Sequence, residues 1–228
     1  MSEAQPTEFF DAAYFEGRSR QSPPHTRDLV YPLAEQTAAY LTRVLRPRRV
    51  LDLGCARGYL AEAFLAAGVP AVSGLDVSRY ALEHSGPLTR GRLVLADARR
   101  GLPLASGVYD LVTALDLFEH LADPVPLLRE IRRILAPKGM AYLKICHPRH
   151  PNATRDPSHV NVRSLAYWIR LFRLCGFRSR RIFESDLTPR PGQGRQWKDA
   201  LKFPVRRFRE WAVIGTPADY KFLLWSHP

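Results

Sequence analysis

Cysteine is scarce: three occur in 228 residues, at positions 55, 146 and 175. They lie far apart, match no metal-ligand spacing and sit in apolar contexts, which excludes a disulfide framework and reads as reduced core residues. No run of about 18 apolar residues exists, so no membrane span is expected. The opening stretch MSEAQPTEFFDAAYFEG is acidic and lacks the basic-then-apolar order of a signal peptide, so a cytoplasmic protein is expected. No internal repeat is present. Carboxylates are the minority charge, 22 Asp and Glu against 34 Lys and Arg, for a net charge of +12. That surplus suits an acidic substrate, nucleic acid or an anionic membrane surface, and equally an arginine-rich source proteome, so charge alone selects none of them.

Hydrophobic residues make up 46% and charged residues 25%, the balance of an ordinary globular chain. The length suits one domain with decoration. Its organising stretch is Val50-Leu51-Asp52-Leu53-Gly54-Cys55-Ala56-Arg57-Gly58-Tyr59-Leu60. A short apolar run bends through small residues into a helical pattern, which predicts a buried strand, a tight turn and a helix start. Small residues at 54, 56 and 58 let a ligand approach the backbone. A dinucleotide fingerprint would need its third glycine at position 59, where Tyr59 stands. The plain alternative is a βα turn of some other α/β protein.

Further along, apolar segments ending on acids alternate with helical patterns. Ala71 to Asp76 reads as a second strand, Arg92 to Ala96 as a third followed by Asp97, Val108 to Leu115 as a fourth, and Met140 to Cys146 as a fifth. A helix from Leu29 to Leu45 leads into the first strand, and an amphipathic helix spans Asp123 to Leu135. A helix over Val162 to Cys175, a strand over Phe177 to Glu184 and a final strand over Asp219 to Trp225 complete the pattern. Such alternation predicts a doubly wound, mostly parallel sheet. The two last strands lack a crossover between them and are expected to form an antiparallel edge. Three regions follow: an N-terminal helical cover over 1–45, a core over 46–184, and a basic excursion with the final strand over 185–228.

The small-x-small-x-Gly turn, with an acid two residues before its first glycine, resembles motif I of the class I S-adenosylmethionine-dependent methyltransferases. Ala56 stands where most members have glycine. Tyr109 to Leu121, with its Glu119-His120-Leu121, is similar to the fourth-strand segment of the ubiquinone-type and related small-molecule methyltransferases. Ile134-Leu135-Ala136-Pro137-Lys138-Gly139 resembles the turn before their fifth strand, with Lys138 replacing a glycine. Tyr14-Phe15-Glu16-Gly17 resembles a segment that folds over the cofactor in this group. The resemblance implies a seven-stranded Rossmann-like methyltransferase fold, with an antiparallel C-terminal edge strand and S-adenosylmethionine as cofactor.

In an open parallel sheet, ligands bind outside the carboxyl ends of the strands. With the resemblance, this assigns Tyr14, Asp52, Gly54, Ala56, Gly58, Asp76, Val77, Asp97, Ala98 and Leu115 to the cofactor. Asp76 would accept from both ribose hydroxyls, and Asp97 from the adenine amino group. Each acid taken alone is also explained as a strand-end or N-cap residue. His120 is the first candidate base, with His147 on the loop after the fifth strand as the second. His150 and His159 lie on the same loop, with Asp156 available to orient an imidazole. Glu119 is expected to fix local backbone.

No Asn/Asp-Pro-Pro-Tyr/Phe signature and no Pro-Cys context occur, which excludes base amino and pyrimidine carbon methylation by those routes. No clustered acids suggest a metal. The expected acceptor is an oxygen or nitrogen of a small molecule, anionic or sugar-containing. Residues 195–211 mix arginine with tryptophan and phenylalanine and are broken by Pro204. They read as a core-packed surface helix, as a lid over an anionic substrate, or as a contact to RNA or membrane. The alternative function is therefore a methyltransferase or cofactor-binding module acting on RNA or a peptide.

Overall fold

A computed structural model describes residues 9–18, 23–187 and 219–226. Seven strands form one sheet: β1 (Arg49–Leu53), β2 (Ala71–Asp76), β3 (Leu93–Leu95), β4 (Tyr109–Leu115), β5 (Leu135–Ile145), β6 (Arg178–Ile182) and β7 (Tyr220–Trp225). Helices are α1 (Ala12–Phe15), α2 (Arg27–Leu45), α3 (Tyr59–Ala66), α4 (Arg79–Glu83), α5 (Val125–Ile134), α6 (Asn152–Arg155), α7 (Leu165–Leu174) and α8 (Glu184–Leu187).

The strand order is β3-β2-β1-β4-β5-β7-β6. The first five strands are parallel, and β7 runs antiparallel to both β5 and β6. The doubly wound sheet with an antiparallel C-terminal strand is as expected. That strand lies one place in from the edge, between β5 and β6, and β6 closes the sheet. Residues 178–182 and 220–225 pair as antiparallel neighbours, as the missing crossover implied.

Alternate residues of each central strand face opposite layers, and both layers are apolar. Leu51, Leu53, Val112, Ala114, Leu143 and Phe222 pack with Leu128, Ile131, Trp168 and Phe172 of α5 and α7. Val50, Leu111, Tyr142 and Leu223 face the other way, onto Ala38, Leu41 and Phe64 of α2 and α3. The polar exception on β1 is Asp52, which points to the ligand end of the layer and is 3% exposed.

Turn chemistry sets the element ends. Arg46 adopts the left-handed conformation (φ 49°) after α2, and its N–H donates to the Thr42 carbonyl. Ser78 caps α4, its side chain accepting from the Ala81 N–H. β5 begins earlier than the apolar run alone implied, because Leu135 pairs with Tyr109 before a register shift and the Ala141↔Val112 ladder. Lys138, in the place where the resembling turn has glycine, takes φ 69° to make that shift.

Close packing of β2 on β3 and on the first turn leaves no room for a side chain at Gly74. A Cβ there would sit 2.6 Å from Leu93 Cδ2 and 2.8 Å from Cys55 Cβ. Overpacking of this kind costs about 1–3 kcal/mol. Gly74→Ala is expected to lower the urea unfolding free energy by that amount with an unchanged m-value.

Candidate functional site

A cavity of about 220 Å³ opens at the carboxyl ends of β1, β2, β3 and β4. The first turn is tied to β2 by the Gly54 and Cys55 N–H groups, which donate to the Leu75 carbonyl at 2.8 and 3.1 Å. Asp76, at the end of β2, completes this tie. Its two carboxylate oxygens accept from the Ala56 N–H and the Ser78 N–H, each at 2.7 Å. Burial pushes the Asp76 carboxyl up, while these backbone donors oppose the shift. Asp52 accepts from the Thr113 hydroxyl at 2.7 Å. Burial pushes its carboxyl up to about 7, with Thr113 opposing and the charge of Asp76 adding.

Gly54, Ala56 and Gly58 alternate in the left-handed region, at φ 69°, 49° and 76°. Gly54 and Ala56 line the cavity together with Asp52, Asp76, Val77, Asp97, Ala98 and Leu115. Gly58 does not. Its missing side chain serves packing, since a Cβ there would meet Leu93 Cδ1 at 2.8 Å. Gly58 starts α3 and lets β3 close on the turn. Ala56 occupies a conformation that costs a non-glycine residue about 1–2 kcal/mol.

Asp97 reaches the cavity with its carboxylate already engaged. Arg99 donates to it from the backbone N–H (3.0 Å), Nε (2.8 Å) and a terminal nitrogen (2.8 Å). The paired guanidinium holds the Asp97 carboxyl below the usual range. Beyond Leu115, Asp116 takes φ 51° and receives both of its bonds from Lys144, at 2.7 and 2.6 Å. Lys144 also pairs with Asp219 at 3.1 Å, so the ends of β4, β5 and β7 share one ammonium.

The segment around α1 covers the opening. Phe10, Tyr14 and Phe15 line the cavity, and Tyr14 is 8% exposed. Two ties hold the cover down. The Ser78 hydroxyl donates to the Phe10 carbonyl at 2.6 Å, and Glu16 accepts from Arg57 (2.6 Å) and from the Tyr80 hydroxyl (2.5 Å). Sequence reasoning named Tyr14 but not Arg57, Tyr80 or His25, which also shape this wall. Arg57 and Tyr80 meet Glu16 from 41 and 64 residues away, and His25 packs on Tyr14 and Phe15 across a turn that no local pattern signals.

His120 lines the cavity at the same mouth, edge-on to Phe10 at 5.3 Å and to His159 at 4.8 Å. Its Nδ1 donates to the Ser158 carbonyl at 3.2 Å, which leaves the lone pair on Nε2. Burial holds its imidazole down to about 4, with His159 adding, so the ring is neutral at pH 7. His147 is placed differently. Its Nδ1 accepts from the Arg149 N–H at 3.0 Å and its ring packs on Tyr220 at 4.7 Å. Among the described residues it does not line the cavity. Glu119 is fully buried and fixes backbone, its Oε1 accepting from Cys146 N–H and its carbonyl from Asn161 N–H. The basic stretch 195–211 lies outside the described residues.

Residues 51–143 match the family described as "Methyltransferase domain". The ubiquinone biosynthesis O-methyltransferase of Neisseria meningitidis serogroup C (strain 053442) is 32% identical over 104 residues, 43% of this chain and 44% of that protein. The protein of the same name from Bordetella avium (strain 197N) is 29% identical over 149 residues, 62% of this chain and 59% of its own length. The chain spans about half the length of the curated relatives it matches. A SAM dependent methyltransferase from Archaeoglobus fulgidus superposes with a TM-score of 0.64 at 20% identity, covering 92% of this chain and 97% of the other. The plantazolicin methyltransferase BpumL, solved in complex with SAH, gives 0.62 at 14% identity over 95% and 89%. At these identities the structural likeness establishes the fold. No described helix is long and apolar enough to cross a membrane.

Two measurements follow from the geometry of the first turn. An Asp52 whose folded carboxyl titrates near 7, against 3.8 when free, carries stability that is present below about 4 and lost as pH rises to about 7. Asp52→Asn keeps an oxygen for Thr113 and removes this loss. Its stability relative to wild type is therefore expected to rise between pH 4 and 8, by no more than about 4 kcal/mol, in urea titrations across that range. Ala56→Gly is expected to stabilise the fold by about 1 kcal/mol, read from the same titrations at one pH.

Proposed function

We propose that this chain, whose residues 51–143 match the methyltransferase domain family, is a class I S-adenosylmethionine-dependent methyltransferase that transfers a methyl group from this cofactor to an oxygen or nitrogen of a small molecule. The carrying observation is a single set of strand ends at one cavity. Asp52, Gly54, Ala56, Asp76, Val77, Asp97, Ala98 and Leu115 all line it, and His120 stands at its mouth.

The donor set fits the adenosyl group. Asp76 is held rigidly by two backbone N–H groups, and each oxygen keeps a further lone pair for a vicinal diol. Ala98 and the Arg99-locked Asp97 line the same cavity and are proposed to meet the purine edge. Gly54 leaves the backbone bare toward the cavity. Tyr14, Phe10 and Phe15 exclude water from above.

Bound S-adenosylmethionine supplies an electrophilic methyl group on a sulfonium. The chain's own work is positioning, holding the acceptor atom in line with that group beneath the aromatic cover. His120 presents an unprotonated Nε2 at neutral pH and accepts the acceptor's proton where one must leave. O-methylation in the relatives' printed names favours oxygen over nitrogen as the acceptor atom.

Calorimetric titration tests the reading. S-Adenosylhomocysteine is expected to bind and NAD not to; the reverse preference overturns the assignment. Asp76→Ala removes two charge-assisted contacts worth about 1.5–3 kcal/mol each, so its affinity for S-adenosylhomocysteine is expected to fall by about 10²–10⁴-fold. Circular dichroism of the variant checks that the fold survives. His120→Ala is expected to leave that affinity near wild type while cutting turnover, and full turnover would remove it from the mechanism.

A further inference from the structure

Two metal-ligating side chains four residues apart and a third about 70 residues onward meet beyond the end of β5. The ligand atoms of Cys146, His150 and Asp219 all lie within 4.8 Å of one another. Each arrives by a different route: Cys146 follows β5, His150 closes a turn in which its N–H donates to the His147 carbonyl at 2.8 Å, and Asp219 precedes β7. None of the three lines the cavity described above, and their spacing along the chain gives no hint of the cluster.

We propose that Cys146, His150 and Asp219 form a three-ligand site for a thiophilic divalent ion, with Zn²⁺ the fitting member of that class. Thiolate, imidazole and carboxylate are the zinc donor set, and a soft sulfur ligand disfavours Mg²⁺ and Ca²⁺. Tetrahedral zinc bonds separate such ligand atoms by about 3.4–3.6 Å. Closing from within 4.8 Å is an adjustment of about an ångström, within reach of a histidine on a surface turn.

The local charge also fits. Lys144 is shared between Asp116 at 2.6 Å and Asp219 at 3.1 Å, leaving one carboxylate charge in excess. Loss of the Cys146 proton adds a second, which a divalent ion balances. Two contacts orient Asp219 as a ligand, since its Oδ1 accepts from the His147 N–H at 3.2 Å and its other oxygen faces Lys144. Such partners behind a ligand fix its direction.

Binding requires two displacements. The Cys146 thiol, now directed at the His147 carbonyl at 3.7 Å, gives its proton to solvent. His150 gives up its weak 3.2 Å contact, in which Nδ1 accepts from the Asn152 N–H. Ion binding is therefore proton-linked and tightens as pH rises. Once formed, the site clips the 146–150 turn to the start of β7, beside the Lys144–Asp116 pair that borders the cavity.

Tag-free full-length protein, stripped of metal, is titrated with Co²⁺ and followed by absorbance. One equivalent is expected to give a sulfur-to-cobalt charge-transfer band that Zn²⁺ abolishes. Cys146→Ser is expected to lose the band, which distinguishes this thiol from Cys55 and Cys175. His150→Gln keeps the thiol and changes only a turn residue, so it decides the matter should Cys146→Ser misfold; its Co²⁺ affinity is expected to drop at least tenfold. Absence of the band, its persistence in Cys146→Ser, or wild-type affinity in His150→Gln overturns the proposal. The readout is independent of methyl transfer, so this proposal and the proposed activity fail separately.

Discussion

A buried carboxylate that holds two backbone N–H groups is the constraint on which this cavity rests. Asp76 joins Ala56, on the turn after β1, to Ser78, at the start of α4, with 2.7 Å bonds to each. It adds to the Gly54 and Cys55 bonds on the Leu75 carbonyl a side-chain anchor for a turn with three alternate residues in left-handed geometry. The cost of burying the acid is visible in its raised titration. That cost is offset by backbone donors which themselves need partners once water is excluded. The same bonds fix where the carboxylate points, so the arrangement that stabilises the turn also orients a ligand group.

Much of this was legible in the sequence because it depends on local pattern. Period-two apolar strands ending on Asp76, before Asp97 and at Leu115 located β2, β3 and β4 to within a residue or two. A small-residue turn after Asp52 located the cavity floor. Other placements depend on contacts remote in sequence. Gly58 looks like its neighbours in the turn, and only the packing of Leu93 across from β3 shows that it faces protein. His147 has the right chemistry and the right loop, but Tyr220, 73 residues onward, draws its ring away from the cavity. The position of β7 between β5 and β6 is likewise a long-range choice that no single segment announces.

Asp97 illustrates a middle case. Its place after β3 follows from the strand pattern, yet its carboxylate is saturated by the residue two positions on. Arginine at position 99 could be read from the sequence, but its fork geometry onto Asp97 could not. The consequence is functional: an acid already paired with guanidinium offers a weaker and more directional acceptor than a free one.

The charge pattern reverses between the outside of the molecule and this cavity. Overall the chain carries +12, while Asp52, Asp76, Asp97 and Asp116 all border one cavity. Arg99 neutralises one of these acids and Lys144 another, both by direct contact. Asp52 and Asp76 have no cationic partner among their hydrogen bonds, and each titrates higher than a free acid. Like charges in a dry site repel, so such a pair is most stable when one is protonated or when a cation lies between them and the opening. A ligand carrying positive charge on a largely apolar frame meets that need, and a dinucleotide with its pyrophosphate does not.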